Sequence, residues 1–298
     1  MPSAGYHYPM RYTKLLATLA ILAFALVDAA ACAGCAAMME IPVPPSVTGD
    51  NVRMYADANA DARFWFSAPN RVSVYNLPGG WPRRNPLPEL RKTGTYRIAY
   101  EYGVPFIHFD WDAHTSPRTI GNRFLILRNE HFMLLYNSNT EPTFHALHGR
   151  GWNVPFPLDS VWASATLTEG HLHFAATPER LGTHINRVWA VEGGVGERLY
   201  IDAGSRRLLL SIGYVHYTRP YLFQANARPK RLRISDARDE TQYIEVYLED
   251  TPHYQTINVG VDWRWYGGLV IEILEIRLGS RYNHLCINSI MWLGDMSP

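Results

Sequence analysis

The sequence predicts an all-β protein in which a C-terminal jelly-roll sandwich follows a smaller β-rich domain. Two observations predict this fold class. From residue 52 onward, short apolar runs rich in Val, Ile, Tyr, Phe and Trp recur between Gly, Pro and Asn residues, a spacing typical of short strands. No apolar pattern with a helical period continues for more than about ten residues in the same part of the chain.

Length and charge limit the classes of function. The chain has 298 residues, which suffices for one large domain or two ordinary ones. It carries 28 Lys and Arg residues against 27 Asp and Glu residues, so its formal net charge is +1. A protein that holds nucleic acid by neutralising phosphates needs a concentrated basic face. We therefore expect no nucleic-acid partner.

Residues 1–35 have the features of a signal peptide. Arg11 and Lys14 form a positive start, Leu15–Val27 is an apolar run interrupted only by a threonine, and Ala29–Ala31 supplies small residues for cleavage. The apolar run is too short to span a bilayer comfortably. A retained N-terminal membrane anchor is the alternative interpretation. The segment predicts an exported protein of a bacterial cell envelope.

Cys32 and Cys35 follow these small residues directly. Small residues before a cysteine, just after an apolar run, are typical of bacterial lipoprotein signals. Lipidation of one of the two cysteines would anchor the mature protein to a membrane, and plain secretion to the periplasm or medium is the alternative. The third cysteine is Cys286, so we expect no disulfide framework.

The mature chain is expected to begin with a proline-containing tether at residues 36–50, because proline extends the backbone. A small β-rich domain is predicted over residues 51–150. The polar triplet Arg128–Glu130 between two of its apolar runs predicts a hairpin turn. The predicted strands of this domain include Arg71–Tyr75, Gly94–Glu101, Phe106–Trp111, Arg123–Leu127 and His131–Tyr136.

A cluster of proline and glycine residues in Asn137–Leu158 predicts a domain boundary. After it, a sandwich domain is predicted over residues 155–298, because about eight strands in 140 residues are typical of two packed sheets. These strands are Val161–Thr166, Leu199–Ala203, Arg207–Ile212, Pro229–Ile234, Tyr243–Leu248, Gln255–Val259, Leu269–Arg277 and Cys286–Trp292. Limited proteolysis is expected to release a stable fragment that starts near residue 155.

Six separated stretches of this second half resemble, in order, the motifs of one family. They are Val161–Leu167, Trp189–Glu197, Ser211–Tyr214, Asn226–Leu232, Gln255–Ile257 and Gly279–Ile290. The family is the discoidin, or coagulation-factor type C, class of galactose-binding-like jelly rolls. Within it, the chain is most similar to bacterial NADase-type glycan-binding domains, also described as NAD glycohydrolase translocation domains, of spirochaete-type lipoproteins.

The resemblance implies a jelly-roll fold and an accessory binding role instead of catalysis. The chain departs from the family pattern at Leu181–Asn186, where the family has an acidic loop, and at His284–Leu285, where it has Asp-Thr. Two local predictions follow from the residues themselves. Gly193, Gly194 and Gly196 predict a tight loop with positive φ angles. Arg228, where a loop meets a strand, is expected to bind loop carbonyls more readily than a ligand.

One group of side chains has the composition of a metal site. On a strand, His108, Asp110, Asp112 and His114 would share one face, with Ile107, Phe109 and Trp111 on the other. Alternate residues of a strand lie about 6.6 Å apart, too far to close a compact site alone. The favoured interpretation is therefore a solvent face backed by a core face, and we expect neither a metal nor a cofactor.

Two aromatic clusters are the predicted ligand-binding residues. The first consists of Trp263, Arg264, Trp265 and Tyr266, beside two glycines that let the backbone turn. The second consists of Tyr217, Arg219 and Tyr221, which would supply an adjoining wall. Flat aromatic faces with neighbouring hydrogen-bond donors suit sugars, and they suit protein contacts equally well.

The function expected from the sequence is binding of a glycan or a surface protein at the envelope, without catalysis. A structural envelope lipoprotein without a small ligand is the main alternative. A hydrolase acting on envelope glycan or NAD is a weaker one, because glycosidases need a paired acid and base about 5–10 Å apart and the sequence shows no obvious pair.

Overall fold

A computed structural model of the chain describes residues 53–57, 62–67, 70–76, 89–113, 121–129, 132–138, 143–147, 155–202, 204–260 and 267–294. The described residues form twenty β-strands and one short helix, Leu222–Ala225 (α1), so the predicted all-β class is confirmed. No helix in this part of the chain is long and apolar enough to cross a membrane. The predicted signal peptide, Cys32, Cys35 and the tether lie outside the described residues.

The first eight strands close a barrel. In chain order they are Arg53–Asp57 (β1), Ala62–Ser67 (β2), Arg71–Asn76 (β3), Glu89–Glu101 (β4), Val104–Trp111 (β5), Arg123–Arg128 (β6), Phe132–Tyr136 (β7) and Thr143–Leu147 (β8). Each strand pairs antiparallel with the next, and β8 returns to pair with β1. The smaller β-rich part of the prediction is thus a closed antiparallel barrel, which leaves no free sheet edge.

The remaining strands form two antiparallel sheets and one small hairpin. They are Pro155–Phe156 (β9), Val161–Ala163 (β10), Thr168–Glu169 (β11), Leu172–His173 (β12), Trp189–Glu192 (β13), Arg198–Ile201 (β14), Arg207–Ile212 (β15), Arg228–Asp236 (β16), Tyr243–Tyr247 (β17), Gln255–Asn258 (β18), Leu269–Arg277 (β19) and His284–Leu293 (β20). The outer sheet has the order β10-β14-β19-β16-β17. The central sheet has the order β13-β20-β15-β18, with β9 beside β20, and β11 pairs with β12.

Strand β5 shows why the barrel has its own core. Ile107 and Phe109 point inward and pack with Phe64, Phe124 and Ile126. The ring of Phe64 lies 5.7 Å from that of Phe109. The alternation that the sequence shows from residue 107 to residue 111 therefore reflects a barrel strand with its aromatic face inward.

The barrel and the sheets share a second, larger core. Leu125, Leu127 and Leu134, on the opposite faces of β6 and β7, belong to one buried cluster with residues of both sheets. The ring of Phe132 lies 5.4 Å from that of Tyr254, which contacts the central sheet. The central sheet is therefore covered on one face by the outer sheet and on the other by the barrel.

The segment 137–158, predicted as a domain boundary, contains two strands of the structure. The last barrel strand, β8, ends at Leu147, and β9 begins at Pro155. That a fragment starting at residue 155 folds alone stays a prediction. Without the barrel, such a fragment would expose its part of the shared core. Hydrophobic burial stabilises by roughly 25 cal/mol per Å² of apolar surface, so separating the parts would be costly.

Several predicted strands have the observed bounds. Arg207–Ile212 and Leu269–Arg277 are strands from the first to the last predicted residue. The predicted turn after β6 is also found, where Asn129 accepts a hydrogen bond from the Phe132 backbone at 3.0 Å. The predicted strands do not include β1, β2, β8, β9, β11 and β13.

Candidate functional site

Arg228 fixes the helix α1, which follows the segment 213–221. This side chain is almost fully buried. Its Nη1 donates to the carbonyls of Phe223 and Asn226 at 2.7 and 2.9 Å. Its Nε and Nη2 donate to the carboxylate of Asp250 at 2.7 and 3.1 Å. The prediction that Arg228 binds neighbouring backbone carbonyls is confirmed, and these bonds fix α1, which follows the segment 213–221.

Tyr217 joins this segment to the barrel. Its hydroxyl donates to the backbone carbonyl of Arg123 at 3.0 Å. The Arg123 guanidinium lies 4.8 Å from the Tyr217 ring centre and 3.8 Å from that of Phe106. Both oxygens of Glu101 accept from Arg123 at 3.0 Å. Tyr217 is thus half-buried and bonded to the barrel, and its predicted role as a ligand contact stays a prediction.

Arg219 is an exposed cation fixed by a buried histidine. Its Nε and Nη2 lie 3.3 and 3.0 Å from Nε2 of His216. On the other side of the ring, the backbone N–H groups of Thr218 and Arg219 point at Nδ1, each at 3.2 Å. Burial, and then the charge of Arg219, lower the pKa of His216 to about 4. The neutral ring holds Arg219 without neutralising it, and no described carboxylate forms an ion pair with this arginine.

The hairpin between β4 and β5 brings a further tyrosine, Tyr102, to Tyr221. Its two-residue turn is Tyr102-Gly103, with φ angles of 52° and 81°. Two positive φ angles in a two-residue hairpin define a type I′ turn, which favours Asn-Gly. A bulky residue such as Tyr102 in the left-handed region is a conformational outlier. Backbone strain of this kind is found preferentially at functional positions.

The tip of the hairpin lies against α1. A Cβ built on Gly103 would lie 3.3 Å from the Phe223 ring. The Tyr102 ring lies 6.2 Å from the Tyr221 ring, edge to face at 77°. Tyr102 is 59% exposed and Tyr221 37%. We call Tyr102, Arg219 and Tyr221 the tyrosine surface.

Charged side chains follow the barrel strands next to this surface. Arg97, Glu101 and His108 lie on the same face of β4 and β5, and Arg97 pairs with His108 across the strands. Burial lowers the pKa of His108, and the charges of Arg97 and Arg123 lower it further, while Glu101 acts in the opposite direction. Neutral pH therefore leaves His108 uncharged, as a hydrogen-bonding group.

The structure does not assemble the metal-like group of the sequence. Asp110 is exposed, and Asp112 accepts hydrogen bonds from Arg71 at 2.9 Å and from Thr93 at 2.5 Å. These two bonds, that from Thr93 first, lower the pKa of Asp112. His114 lies outside the described residues. Within the part of the chain that the structure describes, no group of three His, Cys, Asp or Glu side chains could hold a metal ion.

The other predicted cluster, Trp263, Arg264, Trp265 and Tyr266, lies outside the described residues and stays a prediction. Its neighbours do locate the ends of that loop. Gly268 accepts from the backbone of Ala237 at 3.1 Å, and residue 258 pairs with Arg207, the first residue of β15. The segment 213–221 leaves the last residue of β15. The chain before this cluster, up to Val259, therefore lies at the opposite end of β15 from the segment 213–221.

The sequence predicts Tyr217, Arg219 and Tyr221 but not Tyr102. The local sequence does contain a signal for this hairpin. Tyr102-Gly103 stands between two apolar runs, and a two-residue break ending in glycine indicates a hairpin. The approach of this hairpin to α1 is a long-range contact, which no local pattern encodes.

The carboxyl groups with altered acidity do not suit acid catalysis. The pKa values of Asp112, Asp239 and Glu275 are all lowered, by hydrogen bonds from Thr93, Thr241 and Lys230 respectively. A glycosidase needs one carboxyl group with a raised pKa to protonate its leaving group. Hydrogen bonds stabilise the ionised, carboxylate form of these three groups instead.

Comparison with known proteins adds little. No family model matches the chain, and no curated protein matches it. Among solved structures the chain is similar to one named "Glycoside hydrolase", with 11% sequence identity over 80% of this chain and 69% of the other. The TM-score is 0.29, a similarity too low to carry an argument about fold or activity.

Proposed function

We propose that this protein is a non-catalytic binding protein of a bacterial cell envelope and that the tyrosine surface binds a glycan. The observation that carries the proposal is Tyr102, which occupies a strained turn position with its ring 59% exposed and edge-on to Tyr221. Asparagine would form the same turn at lower cost. A strained and exposed tyrosine is therefore best explained by what its ring contacts.

The chemistry of the surface suits a sugar. Aromatic rings offer flat apolar faces to the C–H groups of a pyranose. Arg219, two residues before Tyr221 in the chain, supplies several N–H donors, and His216 holds its guanidinium in place. The resemblance of residues 155–298 to glycan-binding jelly rolls agrees with this ligand class, as does export to an envelope predicted by residues 1–35. A partner protein is the alternative ligand, because tyrosine and arginine also dominate protein contacts.

The test is a glycan array probed with the purified chain, followed by titration of the best ligand. Tyr102→Asn places the favoured residue in the turn, so its melting temperature should equal or exceed that of the wild type. Its affinity should fall about tenfold, since loss of one aromatic contact costs about 0.5–1.5 kcal/mol or more. The matched variant Tyr102→Phe keeps the ring and should bind within about threefold of the wild type.

Two results would overturn the proposal. If the wild type binds no glycan on the array, the protein is better described as a structural envelope protein or a protein-binding module. If glycan binding is found but Tyr102→Asn and Tyr221→Ala both leave it unchanged, the ligand contacts another surface.

A further inference from the structure

Arg219 carries a positive charge that no described side chain balances. The residue is exposed, and among the described residues its guanidinium forms hydrogen bonds only to the ring of His216, at 3.0 and 3.3 Å. A neutral imidazole offers one lone pair and no charge. His216 therefore orients the guanidinium and leaves the charge of Arg219 uncompensated.

The contact with His216 occupies one edge of the guanidinium. Nε and Nη2 of Arg219 face Nε2 of the ring, so Nη1 has no protein partner in the part of the chain that the structure describes. The ring is 3% exposed, and the backbone N–H groups of Thr218 and Arg219 lie at its other nitrogen. Because a guanidinium is planar and rigid, this contact also fixes the direction in which the Nη1–Nη2 end points.

A second arginine adds positive charge near the same position. Burial raises the pKa of Tyr214, whereas the charges of Arg219 and Arg180 lower it. Both cations therefore act on one hydroxyl group. No described carboxylate forms an ion pair with Arg180, because Glu179, the residue before it, pairs with Arg187.

The carboxylate that opposes these cations has the weaker effect. Glu169 raises the pKa of Tyr214 by less than either arginine lowers it, and its own carboxylate lies 3.5 Å from Nδ1 of His284. Positive charge thus exceeds negative charge around Tyr214. The outer sheet differs in this respect, since Arg231 and Arg233 share the carboxylate of Glu245, each at 3.0 Å.

We propose that the glycan bound at the tyrosine surface is acidic and that Arg219 binds its anionic group through Nη1 and Nη2. The inference rests on the proposed glycan binding and names the class of glycan. A guanidinium donates two parallel hydrogen bonds to a carboxylate, and phosphate groups accept in the same way. The ligand is therefore a saccharide that carries a uronate, sulfate or phosphate group, and Arg180 attracts it at longer range.

A neutral sugar satisfies the same end of Arg219 less well. Its hydroxyl groups can accept from Nη1, but they bring no charge to a guanidinium that loses part of its hydration on binding. Hydrogen bonds between two charged groups are roughly twice as strong as those between neutral groups. The uncompensated charge of Arg219 thus selects an anionic ligand over its neutral counterpart.

The experiment uses the purified chain and matched pairs of oligosaccharides. Each pair consists of an acidic oligosaccharide and a neutral counterpart, made by reducing its carboxyl groups to alcohols or by removing its sulfate or phosphate groups. A glycan array is followed by calorimetric titration of the best pair. We expect the acidic member to bind about tenfold more tightly, or better, and its affinity to fall as salt screens the charges. The three kinds of acidic group are compared separately, which identifies the preferred anion.

The decisive variant is Arg219→Gln, which keeps donor atoms and removes the charge. Its affinity for the acidic member should fall about tenfold or more, and that for the neutral member by about threefold or less. Arg219→Lys keeps the charge without the planar pair of donors, so its loss should be intermediate. The matched control, Arg233→Gln, removes one positive charge from the outer sheet and should leave both affinities within about twofold of the wild type. All three variants should keep the melting temperature within a few degrees.

Two outcomes would overturn the inference. They are a neutral member that binds as tightly as its acidic counterpart, and an acidic preference that Arg219→Gln leaves unchanged. Either outcome leaves glycan binding itself intact. Absence of binding to every saccharide, acidic and neutral, would instead contradict the proposed function, and this inference with it.

Discussion

The hydroxyl of Tyr217 donates to the backbone carbonyl of Arg123 at 3.0 Å and thereby joins the sandwich to the barrel. The aromatic ring completes the contact, because it lies 5.8 Å from the ring of Phe106. The sequence predicts Tyr217 as a ligand contact beside Arg219 and Tyr221. In the structure the three residues lie in one segment, but their surroundings differ: Tyr217 faces the protein and the other two face solvent.

Tyr217→Phe tests this division. The variant keeps the ring and loses one hydrogen bond, which costs about 1 kcal/mol and leaves the Arg123 carbonyl without that donor. We expect a melting temperature lower by a few degrees and glycan affinity within about twofold of the wild type, measured by calorimetry. A tenfold loss of affinity at unchanged melting temperature would instead make Tyr217 a direct contact.

Two glycines allow a matched test of packing. Gly213 and Gly196 have φ angles of 81° and 86°. A Cβ at Gly213 would lie 2.6 Å from the Phe223 ring, whereas one at Gly196 would meet nothing within 4 Å. Gly196→Ala should cost about 1–2 kcal/mol, because alanine is strained in the left-handed region. Gly213→Ala should cost clearly more, because it also displaces Phe223 and α1. Equal free energies of unfolding in urea would contradict this account.

His253 predicts loss of stability in acid. Its Nδ1 accepts from the Arg128 backbone at 3.3 Å. Burial, and then the charge of Arg128, lower its pKa to about 4. The unfolded chain binds a proton near pH 6.5 and the folded one only near pH 4, so stability is complete above pH 6.5. It is lost as the pH falls through this window, by about 2–3 kcal/mol for this residue.

The variant His253→Asn isolates this effect. An asparagine oxygen can accept from Arg128 and does not titrate. The fall in melting temperature between pH 6.5 and pH 4 should therefore be smaller in the variant, although His216 titrates in the same direction and keeps part of it. Parallel curves for the wild type and the variant would exclude a role for His253.

Trp263 and Trp265 form the other predicted contact. Replacing both by alanine should weaken ligand binding by about 1–3 kcal/mol and change the melting temperature by no more than a few degrees. Destabilisation by many degrees would show that these rings belong to the core.

Lipidation of Cys32 or Cys35 is tested by intact mass of protein extracted from membranes. We expect the mass of two or three acyl chains on one of the two cysteines. The variant in which both are replaced by serine should lose this mass and leave the membrane fraction. An unmodified mature N-terminus would exclude a lipid anchor.

The sequence predicts the strands better than their arrangement. Local alternation and β-branched runs indicate β15 and β19 to the residue, because a strand's pattern follows from its own two faces. Two runs, Phe124–Leu127 and Leu208–Leu210, are apolar at every position. This indicates strands covered on both faces. The interior of the barrel covers one face of Phe124–Leu127, and the outside of the barrel covers one face of Leu208–Leu210. The continuity of these apolar runs indicates that the two parts pack together.

The candidate site could be predicted only in part for the same reason. Tyr221 and Arg219 stand out as polar aromatic and basic residues in a loop, whereas Tyr102 becomes significant only through its turn conformation and its contact with Tyr221, a residue far away in the sequence.

The layer that the barrel and the outer sheet both cover has a consequence for how the protein can be divided. Leu209 and Met291 share the face of the central sheet that carries Ser289, whose hydroxyl accepts from Tyr254. A sandwich that began near residue 155, without the barrel, would turn this face toward water. Large exposed apolar patches promote association. We therefore expect the sandwich without the barrel to associate with itself.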